Sequence, residues 1–216
     1  IDDYQATVNN SALGVLRGYL ANAEKVRTQG VEVDFSVRPS ERFSVYGNGA
    51  FTDAKYAAFS QAPCAPELAG GTVVTGAQVP GAAGVAGALS PASCNISGQR
   101  LPGVSRWSFS WGAEYNLPAK LLGKEGEVYL GYDGSYRSRY SSNPSPSAYT
   151  WIDGYSLHNL RAGFRVPHGF DISAWVRNAT NRQYFELLTV TSGNTGLIAA
   201  NLGDPRTFGG TIKVQF

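Results

Sequence analysis

Residues 205–216 alternate strictly between apolar and polar side chains up to the end of the chain. The apolar positions are Phe208, Gly210, Ile212, Val214 and Phe216, and the intervening ones are Thr207, Gly209, Thr211, Lys213 and Gln215. Successive side chains of a β-strand point to opposite faces, so this pattern predicts a strand with one apolar and one polar face. Such a strand fits a soluble β-sandwich as well as a barrel in lipid.

Further segments show the same alternation, which makes eight predicted strands in all. The other seven lie at about residues 2–8, 27–37, 43–51, 107–115, 127–137, 159–166 and 170–177. The chain holds 26 Gly and 12 Tyr, and only 16% of its residues are charged, compared with about 25% in soluble domains. An all-β chain is therefore predicted.

The connections between these strands alternate in length. Four are long, at about residues 9–23, 56–102, 138–152 and 178–204, and the others are short turns. Outer-membrane barrels have short turns on one side and long outer loops on the other. No apolar run approaches the roughly 18 residues of a membrane helix, and a closed barrel is the other structure that can span lipid. We predict an antiparallel, up-and-down transmembrane β-barrel.

Charged residues occupy the polar face of the predicted strands. Burying them between two sheets would cost several kcal/mol each unless they were paired. A solvated lumen or a polar plug removes this cost, although a one-sided soluble sheet would also do so. We predict that the lumen wall is formed by Glu32, Asp34, Glu114, Glu127, Asp133, Arg137, Arg161, Arg165, Asp171, Arg177 and Lys213.

Cys64 and Cys94 lie in one Gly-rich segment, and we predict a disulfide between them in an oxidising compartment. His158 and His168 have no metal-ligand spacing and are predicted to be surface residues. No hydrolase, P-loop or dinucleotide-binding motif occurs. We predict no catalytic residue, metal site or cofactor, and no enzymatic activity. The net charge of +2 argues against a nucleic-acid partner.

Four segments resemble the C-terminal part of TonB-dependent outer-membrane receptors. They read NAEKVRTQGVEVDF at 22–35, FSVYGNGAFTDAKY at 43–56, WVRNATNRQY at 175–184 and GDPRTFGGTIKVQF at 203–216. The terminal Phe216 is also similar to the final aromatic residue of outer-membrane barrels. In those proteins this residue is part of the signal read by the barrel assembly machinery.

The resemblance implies a 22-stranded barrel in the Gram-negative outer membrane, filled by an N-terminal plug. It also implies import of a scarce solute such as an iron chelate, cobalamin or a saccharide. The outer loops would bind the ligand, and energy would come from the TonB complex through the plug. The resemblance covers no plug, so we expect this chain to supply the last eight strands of a longer receptor.

Two alternatives remain open at this point. The chain could form a small standalone eight-stranded outer-membrane barrel with a structural or adhesive role. It could also be a soluble β-sandwich that binds a partner. Extraction without detergent would favour the sandwich, whereas folded, heat-modifiable migration on a gel would favour either barrel.

Overall fold

The structure is a computed structural model that describes residues 1–10, 17–62, 64, 72–74, 77–79, 93–121, 123–143, 147–167, 169–190 and 197–214. Its strands are β1 Asp2–Asn10, β2 Arg17–Ser40, β3 Phe43–Ala58, β4 Thr72–Val74, β5 Ala77–Val79, β6 Trp107–Leu121, β7 Lys124–Arg137, β8 Tyr140–Ser141, β9 Trp151–Ile152, β10 Tyr155–Arg165, β11 Phe170–Arg177, β12 Phe185–Val190, β13 Ile198–Leu202 and β14 Thr207–Val214. No helix among the described residues has both the length and the apolar character needed to cross a membrane.

One sheet of eight strands forms the body of the molecule, in the order β1-β2-β3-β6-β7-β10-β11-β14. Every neighbouring pair is antiparallel. The predicted all-β, up-and-down arrangement of eight strands is therefore confirmed. Within the described residues the sheet is open, with β1 and β14 at its two edges.

The strands are longer than the side-chain pattern predicted. The loop predicted at 9–23 is wrong in extent, because β1 and β2 stay paired as far as Asn10 opposite Arg17. Backbone hydrogen bonds to a neighbouring strand hold polar and small residues in an extended conformation, whatever their side-chain pattern. Likewise, β2 passes through Pro39, where a register shift between Val37 and Ser40 accommodates a residue that cannot donate to the ladder.

The other three long connections contain structure of their own. The segment 56–102 starts with the end of β3 and includes the β4–β5 hairpin. The segment 138–152 holds the β8–β9 pair and a single 3₁₀ turn at Ala148–Thr150. The segment 178–204 holds the β12–β13 hairpin. These additions lie at the end of the sheet away from the short turns, so this end carries most of the irregular chain.

The buried core lies at this outer end and not under the apolar face of the sheet. Its largest cluster contains Ala6, Ala23, Val26, Tyr56, Phe59, Ala62, Cys64, Cys94 and Ile96. On the apolar face, by contrast, Leu130 is 59% exposed and Ile212 is 71% exposed. Phe164 is an exception, because it is buried and its ring lies 6.1 Å from that of Phe170. Among the described residues, no second layer packs against the apolar face of the sheet.

Candidate functional site

The strand register places the predicted polar-face residues together. Arg165 lies opposite Glu127 on one side and Asp171 on the other, and Asp171 lies opposite Lys213. Directly opposed residues point to the same face of a sheet. Following the pairs across the eight strands puts all eleven on one face: Glu32, Asp34, Glu114, Glu127, Asp133, Arg137, Arg161, Arg165, Asp171, Arg177 and Lys213.

Two arginines join three carboxylates into a network at the centre of this face. The Arg161 guanidinium lies 2.9 Å from a carboxylate oxygen of Glu114 and 2.9 Å from one of Asp133. Arg165 lies 3.2 Å from Asp171 and 3.8 Å from the other oxygen of Glu114. Because Glu114 is only 18% exposed, these ion pairs are partly shielded from solvent.

Two tyrosines that the sequence analysis did not single out extend the network. The Tyr46 hydroxyl donates to Asp133, and the Tyr129 hydroxyl donates to Asp171 over 2.9 Å. The Arg165 guanidinium also covers the Tyr129 ring, 4.7 Å from its centroid. The connected group therefore crosses five adjacent strands, from β3 to β11. The sequence feature that could have identified both tyrosines is their place at polar-face positions of their strands.

Glycines on the same face give these long side chains room to lie flat. A Cβ at Gly131 would come within 2.6 Å of Arg161 Nε. A Cβ at Gly112 would collide with the Tyr46 ring. Arg161 and Tyr46 therefore reach their carboxylate partners by lying across positions that have no side chain.

The remaining members of the predicted set stand outside this network. At the outer end, Arg137 donates to the Gly103 carbonyl over 3.2 Å and covers the Tyr140 ring at 4.4 Å. Arg177 covers the Trp175 ring at 4.9 Å. Glu32 and Asp34 are solvent-exposed on β2.

A cleft of about 760 Å³ lies among the outer connections, lined by Trp151, Tyr155, Arg182, Tyr184, Phe185 and Leu202. The Tyr155 and Tyr184 rings stack with centroids 4.4 Å apart. Burial, and secondarily the negative charge of Glu186, raises the pKa of the Tyr184 hydroxyl. The cleft offers flat aromatic surface, and its lining also holds the Arg182 guanidinium and the Asp153 carboxylate, a combination suited to a planar ligand with polar groups.

Asn178 ties the two ends of the segment 178–204 together. Its backbone has a positive φ of 47°, which Asn tolerates better than most residues. Its side-chain amide donates to the carbonyl oxygens of Arg182 and Asp204 over 2.9 and 3.0 Å, and its side-chain oxygen accepts from Arg182 N over 2.8 Å. The segment that lines the cleft is thus held at its base by one buried side chain.

The predicted disulfide between Cys64 and Cys94 is present. Beside it, Ala62 and Cys94 exchange two backbone hydrogen bonds of 3.1 and 2.7 Å. Ile96 N donates to the Phe59 carbonyl over 3.0 Å. The disulfide therefore fixes the stretch before β6 to the outer ends of β1, β2 and β3.

The histidine prediction requires a correction, because His158 is not simply a surface residue. It is half-buried on the apolar face, where its Nδ1 lies 2.8 Å from the Tyr132 hydroxyl. The same hydroxyl accepts from Trp111 Nε1 over 3.1 Å. The Tyr132 hydroxyl thus provides a hydrogen-bond partner for the imidazole of His158, and the spacing of residues in the sequence could not reveal this contact. His168 and Phe216 lie outside the described residues.

The sheet is open and antiparallel, with one exposed apolar face and one ion-paired face. Its long connections lie at a single end. This is the architecture of part of a large membrane barrel. The family model "TonB dependent receptor-like, beta-barrel" matches residues 1–179. The chain therefore belongs to the TonB-dependent receptor β-barrel family.

Solved structures show the same fold. The ferric yersiniabactin uptake receptor FyuA from Yersinia pestis is 15% identical, with a TM-score of 0.65 over 92% of this chain. BauA, the ferric preacinetobactin receptor from Acinetobacter baumannii, is 16% identical, with a TM-score of 0.58 over 98%. The siderophore receptor PiuA from the same organism is 13% identical, with a TM-score of 0.56 over 96%.

These matches cover only part of the larger proteins. The chain spans 25% of the FyuA chain, 26% of the BauA chain and 23% of the PiuA chain. No curated protein matches the chain in sequence.

Proposed function

We propose that this chain forms the C-terminal eight strands of a receptor that imports a ferric siderophore across the Gram-negative outer membrane. The observation that carries this proposal is the match of the family model over residues 1–179. Members of this family are transporters, which fits the prediction that the chain is not an enzyme. The open sheet supports a larger barrel, since a standalone eight-stranded barrel requires its first and last strands to pair.

The choice of solute is supported by the names of the compared receptors. FyuA and BauA are described as receptors for ferric chelates, and PiuA as a siderophore receptor. The outer cleft agrees with this, because stacked Tyr155 and Tyr184 would suit a chelate with aromatic rings. A ferric siderophore is therefore favoured over cobalamin or a saccharide.

In this proposal the two faces of the sheet have different partners. The apolar face contacts outer-membrane lipid, and the ion-paired face lines the barrel interior against an N-terminal plug. The TonB complex supplies energy through that plug. The barrel assembly machinery inserts the strands into the membrane. The Arg161–Glu114 network keeps the wall rigid while the plug rearranges.

Uptake by cells carrying the full-length receptor tests the proposal. We expect energy-dependent uptake of a ⁵⁵Fe-labelled siderophore, and a loss of at least about tenfold in apparent affinity when Arg182→Ala and Tyr184→Ala are combined, since each removes a direct contact worth about 1 kcal/mol. Lys124→Ala, at the turn end of β7, is the matched control and should leave uptake unchanged. Uptake of labelled cobalamin or maltodextrin, with none of any siderophore tested, would contradict the proposed solute.

A further inference from the structure

The apolar face of the sheet ends abruptly at its outer edge. The last aromatic pair on β3 and β6 is Phe51 and Trp107, which lie opposite each other with ring centroids 4.7 Å apart. The next residue on the same face of β3 is Asp53, which lies about 7 Å farther along the strand. Beyond this point Lys55 on β3 and Arg27 on β2 lie opposite each other on the same face.

Three basic side chains converge on Asp53. Its carboxylate oxygens lie 3.5 Å from Arg106 Nη2, 3.6 Å from Lys55 Nζ and 3.9 Å from Arg27 Nη2. These separations exceed the roughly 2.7–2.9 Å of a strong charge-assisted hydrogen bond. The aspartate is 17% exposed, whereas the side chains of Arg27, Lys55 and Arg106 are 54%, 33% and 41% exposed. Among the described residues, one recessed carboxylate is therefore shared by three basic side chains that remain partly open to solvent.

A fourth basic side chain adjoins this group. Arg100 forms an isolated β-bridge with Lys55 and so lies beside that residue. Burial lowers the pKa of its guanidinium, and the positive charge of Arg106 lowers it further. Arg27, Lys55, Arg100 and Arg106 are called the outer basic cluster below.

The position of the outer basic cluster relative to the apolar band of the sheet indicates the depth at which the cluster lies in the membrane. On the turn side the band begins with the aromatic pair Phe43 and Tyr115, and on the outer side it ends with Phe51 and Trp107. These limits lie about 27 Å apart along β3 at 3.3–3.4 Å per residue. At the roughly 35–45° tilt of strands in outer-membrane barrels, that length spans about 19–22 Å, most of the roughly 25 Å apolar band, with aromatic residues at its borders. The outer basic cluster then lies at headgroup depth in the outer leaflet.

We propose that the outer basic cluster binds the phosphate groups of an outer-leaflet lipid. Two aromatic rings beneath the cluster pack against the acyl chains, while the guanidinium groups above them meet the headgroup. Guanidinium groups match phosphate oxygens in a forked geometry, and the lysine adds a point charge. The inference rests on the membrane placement made under "Proposed function" and is independent of which solute is imported.

The experiment compares lipid binding by the purified full-length receptor and its charge variants in detergent micelles. The probe is bisphosphorylated lipid A, with dephosphorylated lipid A and inorganic phosphate as separate arms. The triple variant Arg27→Gln, Lys55→Gln and Arg106→Gln should bind lipid A roughly a hundredfold more weakly, at about fivefold for each cation removed. The matched control Arg42→Gln, Lys120→Gln and Lys124→Gln removes the same charge at the turn end of the strands and should bind normally.

Folding is verified by heat-modifiable migration, and Arg106→Lys provides a variant that keeps its charge and should bind within about twofold of wild type. Unchanged lipid A binding by a folded triple variant would overturn the proposal. So would equal affinity for dephosphorylated lipid A, or for inorganic phosphate alone. Siderophore uptake is measured in parallel, so that failure of import and failure of lipid binding are seen separately.

Discussion

At the residue scale, Arg161 links two carboxylates on the polar face of the sheet. It contacts Glu114 and Asp133 from two different nitrogen atoms, and the two carboxylates come from neighbouring strands β6 and β7. Desolvation penalises all three groups, and their mutual attraction offsets it. Removing the cation alone leaves two carboxylates close together without their main partner.

Substitution Arg161→Gln should therefore destabilise the barrel. With the arginine side chain 37% exposed, solvent screening limits the effect to about 1 kcal/mol. The measurement is urea unfolding of the full-length receptor in detergent. Arg177→Gln is the control, because Arg177 lies on the same face but contacts the Trp175 ring. Equal destabilisation by both substitutions would show that the network contributes nothing specific.

The sequence predicted the charged members of this network but neither its tyrosines nor its connections. Period-two alternation is sufficient to place Glu114, Arg161 and Asp171 on one face. It does not reveal that Tyr46 and Tyr129 join them, because that depends on the register of strands far apart in the chain. The contact that partly buries His158 was missed for the same reason, since its hydroxyl partner belongs to a neighbouring strand.

At the element scale, the β2–β3 hairpin depends on a close approach at Gly30. An added Cβ there would collide with the backbone carbonyl oxygen of Phe51. Backbone atoms in a paired strand cannot move aside as the end of a flexible side chain can, so overpacking at this position disturbs the ladder itself.

Gly30→Ala should consequently cost about 1–3 kcal/mol of stability and lower the yield of folded receptor. Gly210→Ala is the matched control in β14, where the added Cβ meets only the Ser173 carbonyl oxygen at an ordinary 3.5 Å. Folded yield is read from heat-modifiable migration of membrane extracts. A normal yield for Gly30→Ala would mean that β2 and β3 separate more easily than their register indicates.

The disulfide acts on the outer connection and not on the barrel. Replacing both Cys64 and Cys94 by Ser removes a constraint worth roughly 3–4 kcal/mol on a loop-closure estimate. We expect faster proteolytic cleavage within residues 59–105 in the variant, with an unchanged barrel melting temperature. Limited proteolysis and thermal unfolding measure the two effects separately. Protection equal to that of wild type would show that burial of Phe59 and Ile96 alone holds the segment.

The number and order of the eight strands in the main sheet could be predicted from the sequence, whereas the lengths of those strands could not. Alternating apolar residues indicate only the part of each strand that contributes to the apolar face, such as residues 27–37 in β2. The outer half of β2, from Arg17, lacks that pattern because it lies beyond the aromatic pair Phe51 and Trp107. There the strand is held by its hydrogen-bonded neighbours, which no local pattern encodes.

At the scale of the whole molecule, apolar surface is divided between two places. The buried cluster around Tyr56 and the disulfide packs inward at the outer end. The larger greasy surface, with Leu130, Ile172 and Ile212, stays exposed across the sheet. An uncovered patch of this kind in water would promote aggregation. In the proposed membrane placement, hydrocarbon covers it.

The most direct test of this account places spin labels on adjacent residues of β11 in the full-length receptor reconstituted in bilayers. Labels at Ile172 and Ala174 should be reached by oxygen dissolved in the lipid, and a label at Ser173 by a water-soluble nickel chelate or by neither reagent. The period-two alternation between neighbours is the predicted result. Preferential access of the nickel chelate to Ile172, or no alternation along the strand, would contradict the central claim that lipid covers the apolar face.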